Sequence, residues 1–193
     1  MKRHPPLILV SAVIVICLAA AGVAAVAAGV DGTAVAYSVN STKVSQSTVD
    51  DELHWLAGNQ QIKKNVEQQG GLVTDASVDS KLTANWLSQR IQTDLLRQAA
   101  ARQHVVVPAA TIRKLHAQAT KRFPHAPASA VDALVDYNGY VAAFGLDTAT
   151  KQGTFFGTAI RRSHIAIDPR YGSWDPRQGV CPPTGCAPTT AGG

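Results

Sequence analysis

The sequence predicts a mainly α-helical protein, in which a small two- or three-stranded sheet joins the ends of a helical domain behind an N-terminal transmembrane helix. Three observations support this prediction. An uncharged apolar run extends from Leu7 to Val30. Residues 34–53 begin with the alternating pattern of a strand, followed by a turn and a short second strand. They then begin an amphipathic helix. Apolar residues recur at helical spacing through much of the remaining chain, until residues 160–167 resemble a second outer strand.

The apolar run is long enough to cross a membrane. As a helix, residues 7–30 would extend about 36 Å, whereas a bilayer core is about 30 Å thick. Lys2 and Arg3 favour a cytoplasmic N-terminus. We expect an uncleaved anchor in the cell membrane, with the C-terminal domain outside the cytoplasm, because the run exceeds the roughly 7–15 apolar residues of a signal peptide. The alternative is secretion after cleavage at a small-residue site, at residues 25–27 or 34–36.

Three regions are predicted. Residues 1–33 form a cytoplasmic tip with the anchor or signal segment, residues 34–175 form one helical domain, and residues 176–193 form a tail rich in Pro, Gly and Thr. The tail contains Cys181 and Cys186. An exported compartment permits a local disulfide between them, with two free thiols as the alternative. No histidine lies beside them to suggest a metal site.

The first helix is predicted to begin after Ser45 or Ser47, because serine is a favoured N-cap. Acidic residues 50–52 are interpreted as charges that suit the positively polarised helix N-terminus. Gly58-Asn59 weakens or ends this helix. A short second helical piece follows, and Gly70-Gly71 breaks the chain again.

The longest helix is predicted to start at a cap on Thr74 or Asp75 and to fade near Gln103. Residues 105–108 form an extended connector, because a residue before proline avoids the helical region. Pro108 suits the first turn of a helix over residues 109–122. The expected apolar stripe of the long helix is Val78, Leu82, Trp86 or Leu87, Ile91, Leu95 and Ala99. The expected buried face of the next helix is Ile112, Leu115 and Ala119.

The last part of the domain begins with a loop at residues 123–127. A helix then runs from about 129 to 144, and a further helical turn is expected at 154–157. The outer strands, residues 35–39 and 160–167, are predicted to pair. Their pairing would bring the two ends of the domain together.

Five short motifs occur in a fixed order along the chain. They are the strand and turn VAYSVN from Val35, the return KVS from Lys43, the helix start VDDEL from Val49, the helix end LLRQAA from Leu95 with VVP from Val106, and the C-terminal IDPRYGSWD from Ile167. In this order they resemble the N-terminal chaperone domain of SurA-type and PrsA-type foldases of actinobacterial type, which is similar to the peptide-binding domain of trigger factor. The resemblance covers residues 34–175. It implies binding of unfolded or exported polypeptides.

The chain departs from this family pattern at two places. Ser41 replaces the glycine that usually follows the turn asparagine, so we expect a longer or differently shaped turn. Such foldases also commonly carry a parvulin prolyl-isomerase domain, which needs about 100 residues. Residues 123–127 instead join two helices directly, and we expect no enzyme domain after residue 175. The sequence therefore predicts a chaperone module without an isomerase.

Other chemistry is not indicated by the sequence. The histidines outside the apolar run form no metal-ligand pair, the serines lack a nucleophile-elbow setting, and no glycine-rich phosphate loop follows a strand. We predict no catalytic residue, metal or cofactor. Without Lys2, Arg3 and Asp31, 16 basic and 12 acidic residues remain, and their net charge of +4 is interpreted as spread along the chain, so nucleic acid is not an expected partner.

The expected partner is a polypeptide, and aromatic side chains are the candidate contacts, since they offer large contact area and tolerate varied sequences. The candidate peptide-binding residues are Trp55, Trp86, Tyr137, Tyr140 and Phe144. The alternative is that they fill the helical core. Two other functions stay open: a prolyl-isomerase-associated foldase, by family, and a structural adaptor of the cell envelope.

Overall fold

The computed structural model describes residues 34–68 and 79–186. The predicted anchor at residues 7–30 lies outside them, as do residues 187–193 and residues 69–78, which contain the predicted glycine break and the Thr74 or Asp75 cap. Val78 of the predicted stripe lies there too. Within the described ranges, no helix has both the length and the apolar character needed to cross a membrane.

The described residues form six helices and five strands, which confirms the mainly helical prediction. In chain order they are β1 (Val35–Val39), β2 (Thr42–Ser45), α1 (Gln46–Gly58), α2 (Gln60–Gln68), α3 (Ser80–Gln103), α4 (Ala109–Arg122), α5 (Ala128–Ala143), α6 (Ala149–Arg161), β3 (Ile165–Ile167), β4 (Ser173–Asp175) and β5 (Gly179–Cys181).

A three-stranded antiparallel sheet in the order β2-β1-β3 joins the two ends of the domain. Tyr37 pairs with Ile167 and Val39 pairs with Ile165, so the predicted pairing of the outer strands is confirmed. The predicted strand was too long, because residues 160–161 belong to the end of α6. The apolar side chains near the end of α6 pack on the core at helical spacing, and this favours the helix over the strand.

The β1–β2 turn is tight, so the first of the two expected alternatives, a longer turn, is wrong. Val39 pairs directly with Thr42, which leaves only Asn40 and Ser41 between the strands. Asn40 adopts a left-handed conformation with φ of 55°, which asparagine tolerates better than most residues. Its side-chain Nδ2 donates to Gln98 Oε1 at 2.6 Å, so the turn is tied to α3.

The helix ends follow the capping rules closely. Ser45 caps α1 by accepting a hydrogen bond from the Thr48 N–H, as predicted, and Asn59 ends this helix. Asp79 caps α3 through a 2.7 Å bond from the Lys81 N–H. The helix then ends at Gln103, as predicted. The acidic residues of α1 lie beyond its first turn, so their interpretation as N-terminal helix charges is wrong.

Helix α3 is the central element of the fold. It packs against α5, α6, β1 and β5. The members of the predicted stripe that the structure describes are buried, and so are further residues on its other sides. Arg90 and Asp94, which are not part of this stripe, are only 5% and 2% exposed. A helix with neighbours on several sides has no fully polar face, so its charged residues need partners inside the protein.

The chain continues as folded structure beyond Asp175. Strands β4 and β5 form an antiparallel hairpin, and the Val180 N–H donates to Ser88 Oγ of α3 at 3.0 Å. Val180 and Cys181 are buried. The predicted boundary at residue 175 therefore cuts through this hairpin, and the prediction of an irregular tail is wrong for residues 179–181. A three-residue strand beside Pro and Gly is too short to produce a clear sequence pattern.

Helix α4 is an exposed helix. None of its residues is buried, and Ile112 is 40% exposed. Leu115 and Ala119 are half-buried, so the predicted buried face is only partly covered. The reason is that α4 packs mainly against one neighbour, α5.

Candidate functional site

The aromatic candidates divide into two separate clusters. The first joins α1, α3 and the α4–α5 loop. The half-buried Trp55 ring meets Trp86 edge-on at 6.0 Å and Phe123 edge-on at 5.6 Å, between ring centroids. Arg122 lies over the Phe123 ring at 5.4 Å. Sequence reasoning missed Phe123 because it looked only for aromatics within helices.

The second aromatic cluster lies between α5 and α6. Tyr137 stacks on Phe156 with 6.5 Å between ring centroids, and Phe144 meets Phe155 at 5.1 Å. Tyr140 is half-buried on the same helix as Tyr137. Burial raises the pKa of Tyr137 above its usual value. The two phenylalanines of α6 were not predicted as site residues because this helix was recognised only as a single turn.

All five candidates pack against the hydrophobic core, yet four of them keep part of their surface exposed. Trp86 is the exception, since it is buried. The other four side chains therefore fill part of the core and also reach solvent. Their contact with a polypeptide stays a prediction.

The burial of Trp86 is coupled to a charged group that sequence reasoning misread. The fully buried Glu52 accepts a hydrogen bond from Trp86 Nε1 at 2.8 Å. The Arg90 guanidinium lies 3.4 Å from the same carboxylate oxygen and donates to the Ser129 carbonyl at 3.0 Å. This pair connects α1, α3 and the start of α5. It holds the Trp86 ring in place at the inner edge of the first aromatic cluster.

A second buried polar group links the sheet to the helices. Tyr37 of β1 donates to Asp94 Oδ2 at 2.9 Å, and Arg97 reaches Asp94 at 3.0 Å and Asp136 at 2.6 Å. Burial raises the pKa of Tyr37 far above its usual value; the neighbouring Asp94 carboxylate raises it further, while Arg90 acts in the opposite direction. These contacts are directional, so they fix the position of β1 against α3 and α5.

The C-terminal motif that starts at Ile167 connects the end of the domain to its first helix. Gln46 Nε2 donates to Asp168 Oδ2 at 2.9 Å. Asp50 accepts from Arg170 Nη2 at 2.9 Å and from the Tyr171 hydroxyl at 2.7 Å. Asp50 is therefore an ion-pair partner of the C-terminal motif. This role explains the charge better than the helix-terminal role that the sequence suggested.

The structure also places the two cysteines of the C-terminal region. The sulfurs of Cys181 and Cys186 are joined as a disulfide, with 4.8 Å between their Cα atoms. It links the end of β5 to the residues that follow. Across the part of the chain that the structure describes, no group of three or more His, Cys, Asp or Glu residues is arranged to hold a metal ion.

These features define a small helical domain whose two ends meet in one sheet and whose aromatic clusters are partly open to solvent. The chain matches the sequence model of the SurA-like N-terminal domain over residues 1–124, which is more than half of its length. The protein therefore belongs to the SurA-like N-terminal domain family, the non-catalytic part of a chaperone. No curated protein and no solved structure matches the chain.

The family match ends inside the α4–α5 loop, although the fold continues. Helix α5 packs on α3 and α4, and β3 completes the sheet beside β1. The matched residues alone would leave one edge of β1 without its partner strand β3. The domain therefore extends through β5, well beyond the matched range.

Proposed function

We propose that this protein is a non-catalytic, chaperone-like module that binds unfolded or exported polypeptides outside the cytoplasm. In this proposal residues 7–30 anchor it in the cell membrane. The observation that carries the proposal is membership of the SurA-like N-terminal domain family. The proposed clients contact the outer edges of Trp55, Tyr137, Tyr140 and Phe144, while Trp86 supports the Trp55 ring from below.

The two aromatic clusters support this proposal through their partial exposure. A chaperone that acts without a chemical step needs apolar surface that clients can reach while the domain stays folded. Aromatic rings supply this surface and tolerate many client sequences. The buried Glu52–Arg90 pair and the Tyr37–Asp94 contact hold the helices beneath the clusters, so the clusters are presented on a fixed support.

The direct connection between α4 and α5 supports a non-catalytic role. Residues 123–127 pass from one helix to the next without an inserted domain. A prolyl-isomerase domain at this position would require about 100 residues. In a proline-limited refolding assay, we therefore expect the full chain to leave the slow phase unchanged. A clear catalytic acceleration would contradict the non-catalytic proposal.

The main experiment measures aggregation of a heat-sensitive client in the presence of the full chain, kept soluble in a mild neutral detergent. We expect aggregation to fall as the full chain is added, relative to detergent alone. Tyr140→Ser and Phe144→Ser should weaken the effect. Trp174→Ser is the matched control, because Trp174 is also a half-buried aromatic but lies in the C-terminal hairpin.

The outcomes separate binding from simple destabilisation. Melting temperatures of all three variants are measured in the same detergent. Loss of suppression in the α5 variants but not in the hairpin variant supports the proposed binding surface. Absence of suppression by excess wild-type chain contradicts the chaperone function itself.

A further inference from the structure

The segment around α4 has a strongly cationic composition that the net charge of the chain conceals. Between Asp94 and Asp132 the sequence contains no acidic residue. Over the same interval it carries Arg97, Arg102, Arg113, Lys114, Lys121 and Arg122. All of these except Arg97 are exposed. Four of these six cations lie on α4 and two on α3, so positive charge is locally concentrated around α4, which corrects the interpretation of a charge spread along the chain.

The exposed cations of this segment have no internal counter-charge. Within the described residues, none of them lies within ion-pair distance of a carboxylate. Two cations elsewhere on the domain do have such partners: Lys151 lies 2.6 Å from Asp147 and Arg170 lies 2.9 Å from Asp50. The positive charge around α4 is consequently available to an external partner.

The geometry of α4 directs these cations away from the rest of the domain. The half-buried positions Thr111, Leu115 and Ala119 follow helical spacing and face α5. With about 100° per residue, Arg113 and Lys121 project from the other sides of the helix. Two of the exposed large aliphatic residues of the described chain, Val106 (81%) and Ile112 (40%), belong to the same segment. We call Val106, Ile112, Arg113, Lys114 and Lys121 the α4 surface.

We propose that the α4 surface binds acidic segments of client polypeptides in which carboxylates alternate with aliphatic residues. This proposal rests on the chaperone function proposed above and names a client class for it. Charge complementarity between the unpaired cations and client carboxylates would provide specificity and a faster approach. The exposed Ile112 side chain would provide apolar contact next to Arg113, and Val106 would offer further exposed apolar surface in the connector before α4.

A polypeptide suits this surface better than a lipid bilayer does. Helices that lie in a membrane interface carry large apolar side chains on the lipid-facing side. The only leucine of α4, Leu115, is half-buried against α5, and the outward positions include Ala117 and Thr120. The helix therefore has little apolar area to insert into lipid. Its charges, by contrast, are spaced along an accessible helix that an extended chain can follow.

The test compares two variants of the full chain in a mild neutral detergent. The first, Arg113→Glu/Lys114→Glu/Lys121→Glu, reverses the charge of the α4 surface. The control, Lys43→Glu/Arg162→Glu/Arg177→Glu, makes the same change in net charge at exposed positions on other elements. A third variant with glutamine at residues 113, 114 and 121 removes the charges without adding acids, in case the reversed variant folds poorly.

The probes are two fluorescein-labelled peptides of equal length, one alternating glutamate with leucine and valine, the other with serine in place of glutamate. We expect the wild type to bind the acidic peptide more tightly. Reversal of the α4 charges should weaken that binding about tenfold, because each exposed ion pair contributes modestly. Reversal of the α4 charges should change the affinity for the serine peptide by less than about twofold. The control variant should change the affinity for either peptide by less than about twofold. Raising the salt concentration from about 50 to about 500 mM should weaken the binding of the acidic peptide only.

The results distinguish this inference from the proposed function. If the wild type binds both peptides equally and the α4 variants behave as the wild type, the inference is overturned while the chaperone function stands. If neither peptide binds and client aggregation is unaffected, both fail. Flotation with phosphatidylglycerol and phosphatidylcholine vesicles adds a further arm. An α4-dependent preference for the anionic vesicles, without an effect on the peptides, would overturn the inference in favour of a membrane-facing surface.

Discussion

Val39 and Ile165 face each other across the sheet as a non-hydrogen-bonded pair of antiparallel strands. The two residues are direct partners in the β1–β3 pairing. The flanking hydrogen bond runs from the Asn40 N–H to the His164 carbonyl at 2.7 Å. In such pairs the two side chains approach more closely than in hydrogen-bonded pairs. The contact joins residues from opposite ends of the domain, so it is a sensitive marker of the whole fold.

A disulfide should therefore form between cysteines at these positions. We expect Val39→Cys/Ile165→Cys, in a Cys17→Ser background, to oxidise spontaneously, and peptide mapping under non-reducing conditions would identify the cross-link. Val35→Cys/Ile165→Cys is the matched control, since its cysteines are about 13 Å apart along the strand direction. Equal cross-linking in both variants, or none in the first, would contradict the observed register.

Glu52 should be important for stability because its carboxylate is buried beside Arg90. Glu52→Gln should lower the free energy of unfolding by about 3 kcal/mol, since it leaves the guanidinium buried without its counter-charge. Removing both charges in Glu52→Leu/Arg90→Met should cost less than the single change. Asp51→Asn, an exposed neighbour in the same helix, is the control and should change stability by less than about 0.5 kcal/mol. Urea unfolding compares these three variants with the wild type; a loss for Glu52→Gln no larger than the Asp51→Asn loss would refute the buried-pair interpretation.

Gly172 should tolerate no side chain. Its φ is 131°, and an added Cβ would come within 2.0 Å of the Cys181 carbonyl oxygen. We expect Gly172→Ala to destabilise the protein by about 2–4 kcal/mol through backbone strain and overpacking. Gly153→Ala, which meets open space in helix α6, should instead stabilise it by about 0.5–1 kcal/mol. Thermal unfolding of the two variants tests this prediction. Similar melting temperatures would mean that Gly172 does not pack against the β4–β5 hairpin as described.

Stability should fall at alkaline pH because Tyr37 is held in its neutral form. Its pKa is raised in the folded protein. Its contribution to the free energy of unfolding is therefore fully present below the unfolded tyrosine pKa of about 10, and it is lost progressively as the pH rises from there toward the folded pKa. One such group adds a slope of up to about 1.4 kcal/mol per pH unit. Tyr37→Phe should reduce the slope of unfolding free energy against pH above about pH 10. An unchanged slope would show that the hydroxyl is not buried in the folded state.

The sequence predicted the parts of the fold that depend on local signals. Pro108 marked the start of α4, and the Ser45 cap was recognised from its own hydrogen-bonding chemistry. The pairing of β1 with β3 was also predicted, although its length was not. Helix α6 was missed as a full helix because Gly153 and Gly157 weaken its pattern, while the aromatic residues between them suggested only one turn.

The remaining features depend on contacts that a sequence does not contain. Glu52 and Asp50 belong to one acidic run, yet one pairs with Arg90 and the other with Arg170, far away along the chain. The charge interpretation failed for a different reason. The acid-free interval from Asp94 to Asp132 was visible in the sequence, but only the exposure of α4 reveals that its cations lack partners.

The central claim is that the domain binds many unfolded exported polypeptides, and site-specific photo-crosslinking in cells tests it most directly. The full chain would carry benzoylphenylalanine in place of Phe144, with the same group at Trp174 as the control. We expect the residue 144 probe to capture a wide range of newly exported polypeptides, and the residue 174 probe to capture far fewer. Capture of one folded partner at residue 144, or equal capture at both positions, would contradict the claim; the first result would indicate an adaptor of the cell envelope.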